Sequence, residues 1–240
     1  MHLRYLLFQI RQLHDPVRAK EVEVFARALG CPPSQVTAID LINNPPTTSE
    51  LAAYDMVLIG GSGDYSVPAG GPWLERALDA MRNLHTLSKP TFASCWGFQA
   101  LAQAMGGSVL MDPLRTEIGT LTLELSEAGY QDPIFSYLGP TFRAQVGHHD
   151  TVDILPDDAI HLARSVRVEN HAFRFKDKPI YATQFHPELY SQDMRERLQF
   201  YPQYVEKIAG LSVESFLSKL SDSPRANNLL RTFVAHVFAS

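Results

Sequence analysis

The chain has 240 residues, of which 45% are hydrophobic and 20% charged, with a net charge of −5. This is the composition of an ordinary globular protein, and it excludes a disordered tail, a coiled coil and a collagen-like fibre. The acid excess argues against nucleic acid and anionic membranes as partners, because both are bound through an excess of Lys and Arg.

The first element in the chain is a buried strand, Leu6-Leu7-Phe8-Gln9-Ile10. Asp15-Pro16 then opens a helix, with Asp at the N-cap and Pro at the first helical position. Val22, Phe25, Ala26 and Leu29 recur at helical spacing, and Gly30 closes the helix. Val36–Leu41 is a second strand. Met56-Val57-Leu58-Ile59 is a third, apolar throughout as a strand covered on both faces must be. A helix is predicted over Pro72–Leu84. The strand Thr91–Ser94 then leads into a helix over Gln99–Met105, stopped by Gly106-Gly107. Strand and helix alternating at this spacing predict parallel βαβ units in an open, mostly parallel twisted sheet with helices on both faces. In such sheets the site lies at the carboxyl ends of the strands.

From Val109 to Phe185 the pattern is of strands: Thr120–Leu125 alternates, and Ile180–Phe185 ends in His186-Pro187-Glu188. Beyond that it turns helical, with apolar stripes Val213/Phe216/Leu217/Leu220 and Leu230/Phe233/Val234/Val237. The expectation is one domain over 1–240, with a core at 1–189 and a helical C-terminal extension at 190–240. Arg195, Arg197, Tyr201 and Tyr204 fall in that extension, where a cover or an oligomer contact is their only evident use. The two cysteines, Cys31 and Cys95, make neither a disulfide framework nor a four-cysteine zinc site. With no stretch long enough to span a bilayer, they point to a cytoplasmic protein.

Four segments carry candidate chemistry. In Ala93-Ser94-Cys95-Trp96-Gly97-Phe98-Gln99 a cysteine sits where a strand ends and a helix begins. A sharp turn there exposes the sulfur, and Gly97 leaves room for tight packing. The helix N-terminus favours the thiolate, and the Trp96 N–H can face a developing oxyanion. The alternative is a buried structural cysteine. In the second segment, His186 and Glu188 stand two apart in extended chain and so share a face, which lets the carboxylate orient the imidazole.

The third segment, Gly60-Gly61-Ser62-Gly63-Asp64-Tyr65-Ser66, follows the Met56–Ile59 strand. Its glycines suit an oxyanion site or a tight turn needing positive φ. They suit a phosphate cradle poorly, since Ser66 stands at the third glycine of a dinucleotide fingerprint and no P-loop exists. The fourth is Gly147-His148-His149-Asp150. A metal reading would combine His148, Asp150 and His171. Neighbouring residues of an extended chain face opposite ways, so one ion cannot easily take both His148 and His149, and no metal and no cofactor is expected.

Cys-x-Gly-x-Gln after a strand, an upstream Gly-Gly loop, a His-x-Asp element and Phe-His-Pro-Glu, in that order over Leu6–Leu189, resemble a class I glutamine amidotransferase. The likeness is nearest to the glutaminase domain of GMP synthase, here free-standing. The resemblance implies a flavodoxin-like fold and a triad of Cys95 as nucleophile, His186 as base and acid, and Glu188 as orienter. It implies an oxyanion hole from the N–H groups of Gly61 and Trp96. Substrate would be held by Gln99 and by Gly147, His148, His149 and Asp150. The implied reaction is attack of the thiolate on the side-chain amide of glutamine or a related γ-glutamyl amide, through a γ-glutamyl thioester. The chain departs from the family at Ala93-Ser94, where Gly-Ile or a similar pair is usual. It also has His149 at a common glycine, and lacks the proline usual after the paired glycines. Two routes stay open for the ammonia: it passes to a separate synthetase subunit, or the protein is a plain hydrolase such as a γ-glutamyl peptidase. A regulatory subunit of the same fold with no turnover is the third reading.

Overall fold

A computed structural model describes residues 2–200 and 213–239. Tyr201 and Tyr204 lie outside the described residues. The parallel part of the sheet forms as the pattern requires: β1 (Tyr5–Ile10), β2 (Val36–Asp40), β3 (Met56–Ser62) and β4 (Thr91–Ser94). The middle of the chain supplies β5 (Ser108–Met111), β6 (Glu117–Leu125), β7 (Thr141–His148), β8 (Asp150–Ile154), β9 (Ala159–Arg164), β10 (Ala172–Phe175) and β11 (Ile180–Thr183). Nine of these join one sheet in the order β2-β1-β3-β4-β11-β10-β9-β6-β7, while β5 and β8 pair apart as a two-stranded ribbon. From β2 to β11 the pairing is parallel, and from β11 to β7 it is antiparallel. The change follows from the connections. Helical crossovers link the first strands, whereas short links between later strands can only return the chain antiparallel.

The helices are α1 (Val17–Leu29), α2 (Thr48–Leu51), α3 (Leu74–Thr86), α4 (Trp96–Ala104), α5 (Glu127–Gln131), α6 (Ser191–Phe200), α7 (Val213–Leu217), α8 (Pro224–Asn227) and α9 (Leu229–Val237). At the start of α1, Asp15 Oδ1 accepts from Val17 N at 2.8 Å, and Gly30 ends the helix in the left-handed conformation at φ 76°. Helix α3 starts two residues later than Pro72 and runs to Thr86, since nothing breaks it before Ser88 at φ 47°. Helix α4 starts at Trp96, because the turn at Cys95 opens straight into helical backbone.

Strand alternation divides the core in two. Leu7, Leu58, Phe92 and Tyr181 face α1 and α9, while Leu6, Phe8, Val57, Ile59 and Ala93 face α3 and α4. Sequence pattern sets the last 51 residues apart as an extension, yet α9 is core. Leu229, Leu230 and Phe233 are fully buried, and the Phe233 ring meets Phe92 at 5.5 Å and Tyr181 at 5.6 Å. The carboxyl ends of β1, β3, β4 and β11 lie side by side, so the loops after them open onto one place.

Candidate active site

Cys95 occupies the turn from β4 to α4 with φ 52° and ψ −104°, a conformation that a non-glycine residue adopts only under constraint. The constraint is visible on both sides. Cys95 N donates to the Thr183 carbonyl at 2.8 Å, which ties the turn to β11. Helix α4 also packs closely, for a Cβ on Gly97 would stand 2.6 Å from Ile59 Cγ2 and 3.1 Å from Ala93 Cβ. The strained turn and the need for glycine at 97 match the sharp strand-end turn that the sequence predicts, with the cysteine half-buried and not fully exposed. Ala93 is accommodated in the core beside Gly97. The thiol donates to the Gly147 carbonyl at 3.5 Å.

The chain after β11 brings His186 and Glu188 to the same place. His186 N donates to the Gln145 carbonyl at 2.8 Å, anchoring the segment on β7. His186 Nδ1 and Glu188 Oε1 are 2.7 Å apart, and both side chains are buried. Glu188 Oε1 also accepts from Ser94 Oγ at 3.2 Å. With Nδ1 engaged by the carboxylate, Nε2 is the nitrogen left for the thiol. Burial acts against the imidazolium, but Glu188 and then Cys95 outweigh it and raise His186 to about 9. Burial likewise opposes the carboxylate, and His186 outweighs it to hold Glu188 below the usual range.

The glycine loop is the end of β3 rather than a turn after it. Its paired glycines are not in positive φ, so the tight-turn expectation is corrected: they are required for space. A Cβ on Gly61 would lie 3.0 Å from His186 Cε1 and 3.8 Å from Cys95 Sγ. One on Gly60 would lie 2.5 Å from Glu21 Oε1. The backbone at Gly61 therefore runs directly against Cys95 and His186.

A cavity of about 360 Å³ opens here, with Cys95, Trp96, Gln99, Gly147, His148, His149, Asp150 and His186 in its wall. Gln99 Nε2 donates to the Asp150 carbonyl at 2.9 Å and to Gln184 Oε1 at 3.1 Å, so its amide donors shape the wall from within. Asp150 is buried, its Oδ1 has no hydrogen-bond partner among the described residues, and burial raises its pKa against the lowering effect of Ser66.

The metal reading grouped His148, Asp150 and His171. His148 and His171 do approach each other, but the carboxylate between them is Glu117, and Asp150 turns to the cavity. His171 Nε2 is 2.7 Å and His148 Nε2 3.3 Å from Glu117 Oε2, while Ser165 Oγ donates to Glu117 Oε1 at 2.8 Å. Burial opposes charge on Glu117, yet the bonds to His148 and His171 hold it at about 2. The three donor atoms lie within 4.8 Å of one another, a set that can ligate a cation, and their present spacing is that of a hydrogen-bonded cluster. Glu117 gave no sequence signal because it is the first residue of an ordinary alternating strand. Ser94, read only as a departure, proves to hold Glu188. Arg11, which also lines the cavity, lies just past the carboxyl end of β1, where the strand-end rule would have found it.

An open α/β sheet with a strained cysteine turn, a facing His–Glu pair and a shared cavity defines the class: this is the fold of the class I glutamine amidotransferases. The chain belongs to that family, for the glutamine amidotransferase class-I profile matches residues 25–201. It is 35% identical over 135 residues to a subunit of the glutamine-hydrolysing GMP synthase of Methanococcoides burtonii, covering 56% of this chain and 69% of that one. It is 36% identical over 121 residues to the corresponding subunit of Methanothermobacter thermautotrophicus, covering 50% and 63%. The matches thus span about two thirds of these relatives. A glutamine amidotransferase structure from Thermotoga maritima shares the fold over 100% of both chains, with a TM-score of 0.78 at 22% identity. No helix among the described residues is long and apolar enough to cross a membrane.

Proposed function

We propose that the protein hydrolyses the side-chain amide of glutamine or a related γ-glutamyl amide through a thioester on Cys95. The observation that carries this reading is that Cys95 and His186 face one cavity while Glu188, buried behind them, grips His186 Nδ1 at 2.7 Å.

The residues divide the reaction between them. The Cys95 thiolate attacks the amide carbon, and the oxygen becomes an oxyanion. The N–H groups of Gly61 and Trp96 are the donors for that charge, since both belong to backbone beside Cys95. His186, charged by the thiol proton, gives that proton from Nε2 to the leaving nitrogen, so ammonia or an amine departs and a γ-glutamyl thioester remains. Water then loses a proton to His186 and attacks the thioester, releasing the acid and restoring the thiol. Glu188 keeps the ring in the tautomer and orientation that both steps need, and stabilises the imidazolium between them. Gln99 and Gly147–Asp150 hold the substrate.

The relatives are named as one subunit of a glutamine-hydrolysing GMP synthase, which supports a second component: a separate synthetase subunit that consumes the ammonia. The deciding experiment is ammonia and amine release from L-glutamine, glutathione and γ-glutamyl dipeptides by the purified chain and by Cys95→Ala. The reading expects turnover of at least one and none with C95A, with the fold unchanged. Activity that survives C95A sinks it. Turnover of peptides without glutamine would assign a γ-glutamyl peptidase. No turnover, with Cys95 alkylating far faster than Cys31, would leave a partner-dependent glutaminase. Slow and equal alkylation of the two would assign the regulatory role.

A further inference from the structure

Helix α6 places three side chains on the cavity wall: Met194, Arg197 and Leu198, spaced i, i+3, i+4 on one face. The helix is fixed on both flanks. Toward α1, Asp193 pairs with Arg27, and Glu196 with Lys20 at 3.5 Å. On the other side, Arg195 donates to the Leu217 carbonyl and to that of Leu220 at 2.9 Å. With its neighbours so engaged, Arg197 is the cation that α6 presents to the cavity holding Cys95 and His186.

The two arginines of this wall differ in how their charge is met. Arg11 is spent within the protein, 3.1 Å from Asp15 and 3.2 Å from Glu21. Arg197 forms no ion pair or hydrogen bond with another described residue. Glu21 and Glu188, the acids whose charges reach it, are already committed to Arg11 and to His186. Burial first, and then the positive charge of Arg11, push the Arg197 guanidinium below its usual pKa. A partly buried cation in that state is stabilised by an incoming anion. The same cavity offers the opposite charge at Asp150, whose buried Oδ1 has no hydrogen-bond partner among the described residues.

A γ-glutamyl group carries one carboxylate and one ammonium on its α-carbon, at the far end from the amide. We propose that Arg197 anchors the α-carboxylate of the substrate, which leaves Asp150, in the segment already read as substrate-binding, to the α-ammonium. This rests on the reading of the protein as a γ-glutamyl amide hydrolase. It gives the C-terminal segment a role in specificity. A fork of guanidinium N–H donors pairs with a carboxylate in bidentate fashion, which selects amides bearing that group from simple amides.

The test compares the full chain with Arg197→Met and Arg197→Lys on L-glutamine and on 4-aminobutanamide, which is glutamine without its α-carboxylate. A second readout, free of turnover, is protection of Cys95 from iodoacetamide by L-glutamate and by 4-aminobutanoate. R197M should raise KM for L-glutamine about 10- to 100-fold, the worth of one charge-assisted contact, with little change in kcat. It should leave 4-aminobutanamide hydrolysis as it was, abolish protection by L-glutamate at concentrations that shield the wild type, and be partly rescued in R197K. Unchanged KM and protection in R197M overturn the proposal. So does an equal loss of kcat on both substrates, which would make Arg197 a positioning residue acting through Glu188. A wild-type chain that hydrolyses neither L-glutamine nor any γ-glutamyl peptide, is not protected by L-glutamate and alkylates Cys95 no faster than Cys31 refutes the amide-hydrolase reading itself, and the anchor with it.

Discussion

Ser94 Oγ donates to Glu188 Oε1 at 3.2 Å across 94 positions of sequence, so the residue before the proposed nucleophile steadies the carboxylate that orients its base. The same Oε1 faces His186 Nδ1, and Oε2 has no partner among the described residues, so Ser94 is the donor that fixes the carboxylate from the β4 side. Ser94→Ala should fold normally and lower kcat about tenfold, as expected for loss of a hydrogen bond to a charged group. Steady-state kinetics checks this; unchanged kcat would show that His186 alone suffices to hold Glu188.

The paired glycines make a steric prediction. Gly61→Ala sets a methyl 3.0 Å from His186 Cε1, so the imidazole must shift by a few tenths of an ångström while the fold survives. Activity should fall at least tenfold with little change in Tm, because proton transfer tolerates such displacement badly. Gly60→Ala meets Glu21 Oε1 at 2.5 Å and disturbs the Arg11–Glu21 pair, so it should cost Tm as well. Calorimetry and kinetics on the two variants separate the cases.

His186 supplies a pH signature. Its pKa is raised from 6.5 to about 9 in the folded chain. Below about pH 6.5 the ring is protonated in both states and its contribution to stability is complete. As pH climbs through about 9 the folded chain gives up the proton and the contribution is lost. The wild type should therefore lose Tm relative to His186→Gln between pH 7 and 10. Parallel Tm curves for the two proteins would mean that His186 is not held charged.

Glu117 gives the mirror case. It lies at about 2, below its ordinary 4.5, so its contribution is complete above that ordinary value and is lost as pH falls toward 2. Glu117→Gln, which leaves His148 and His171 facing a neutral amide, should cost about 2–4 kcal/mol at pH 7 and progressively less below pH 4. Urea titrations at pH 7 and pH 3.5 measure the difference. An equal penalty at both would assign the loss to packing instead of charge.

Helix α9 is predicted to be essential to the fold. Phe233→Ala removes a buried ring that contacts Phe92 and Tyr181, and should destabilise by about 3–5 kcal/mol in denaturant titration. A loss under 1 kcal/mol would mean that α9 is dispensable to the core.

The amino-acid sequence by itself determined the local events. Apolar runs at Leu6–Ile10 and Met56–Ile59 make buried strands, and a cysteine pinned between a strand and a helix with Gly97 behind it makes a sharp turn at a strand end. His186 and Glu188, two apart in the chain, do come together, though by a turn through Pro187 and Glu188 and not by the extended backbone that the spacing suggests. These are legible because they depend on neighbours in the chain. Tertiary structure decided what depends on residues brought from afar. Whether Glu117 or Asp150 joins His148 and His171 is a matter of strand register between β6 and β7, which no local pattern encodes. Whether Arg197 reaches the cavity depends on where α1 holds α6, and α9 is core only because the sheet leaves that face open between α1 and β11. Charge pairing and burial join positions tens to hundreds of residues apart, and only the folded chain sets those distances.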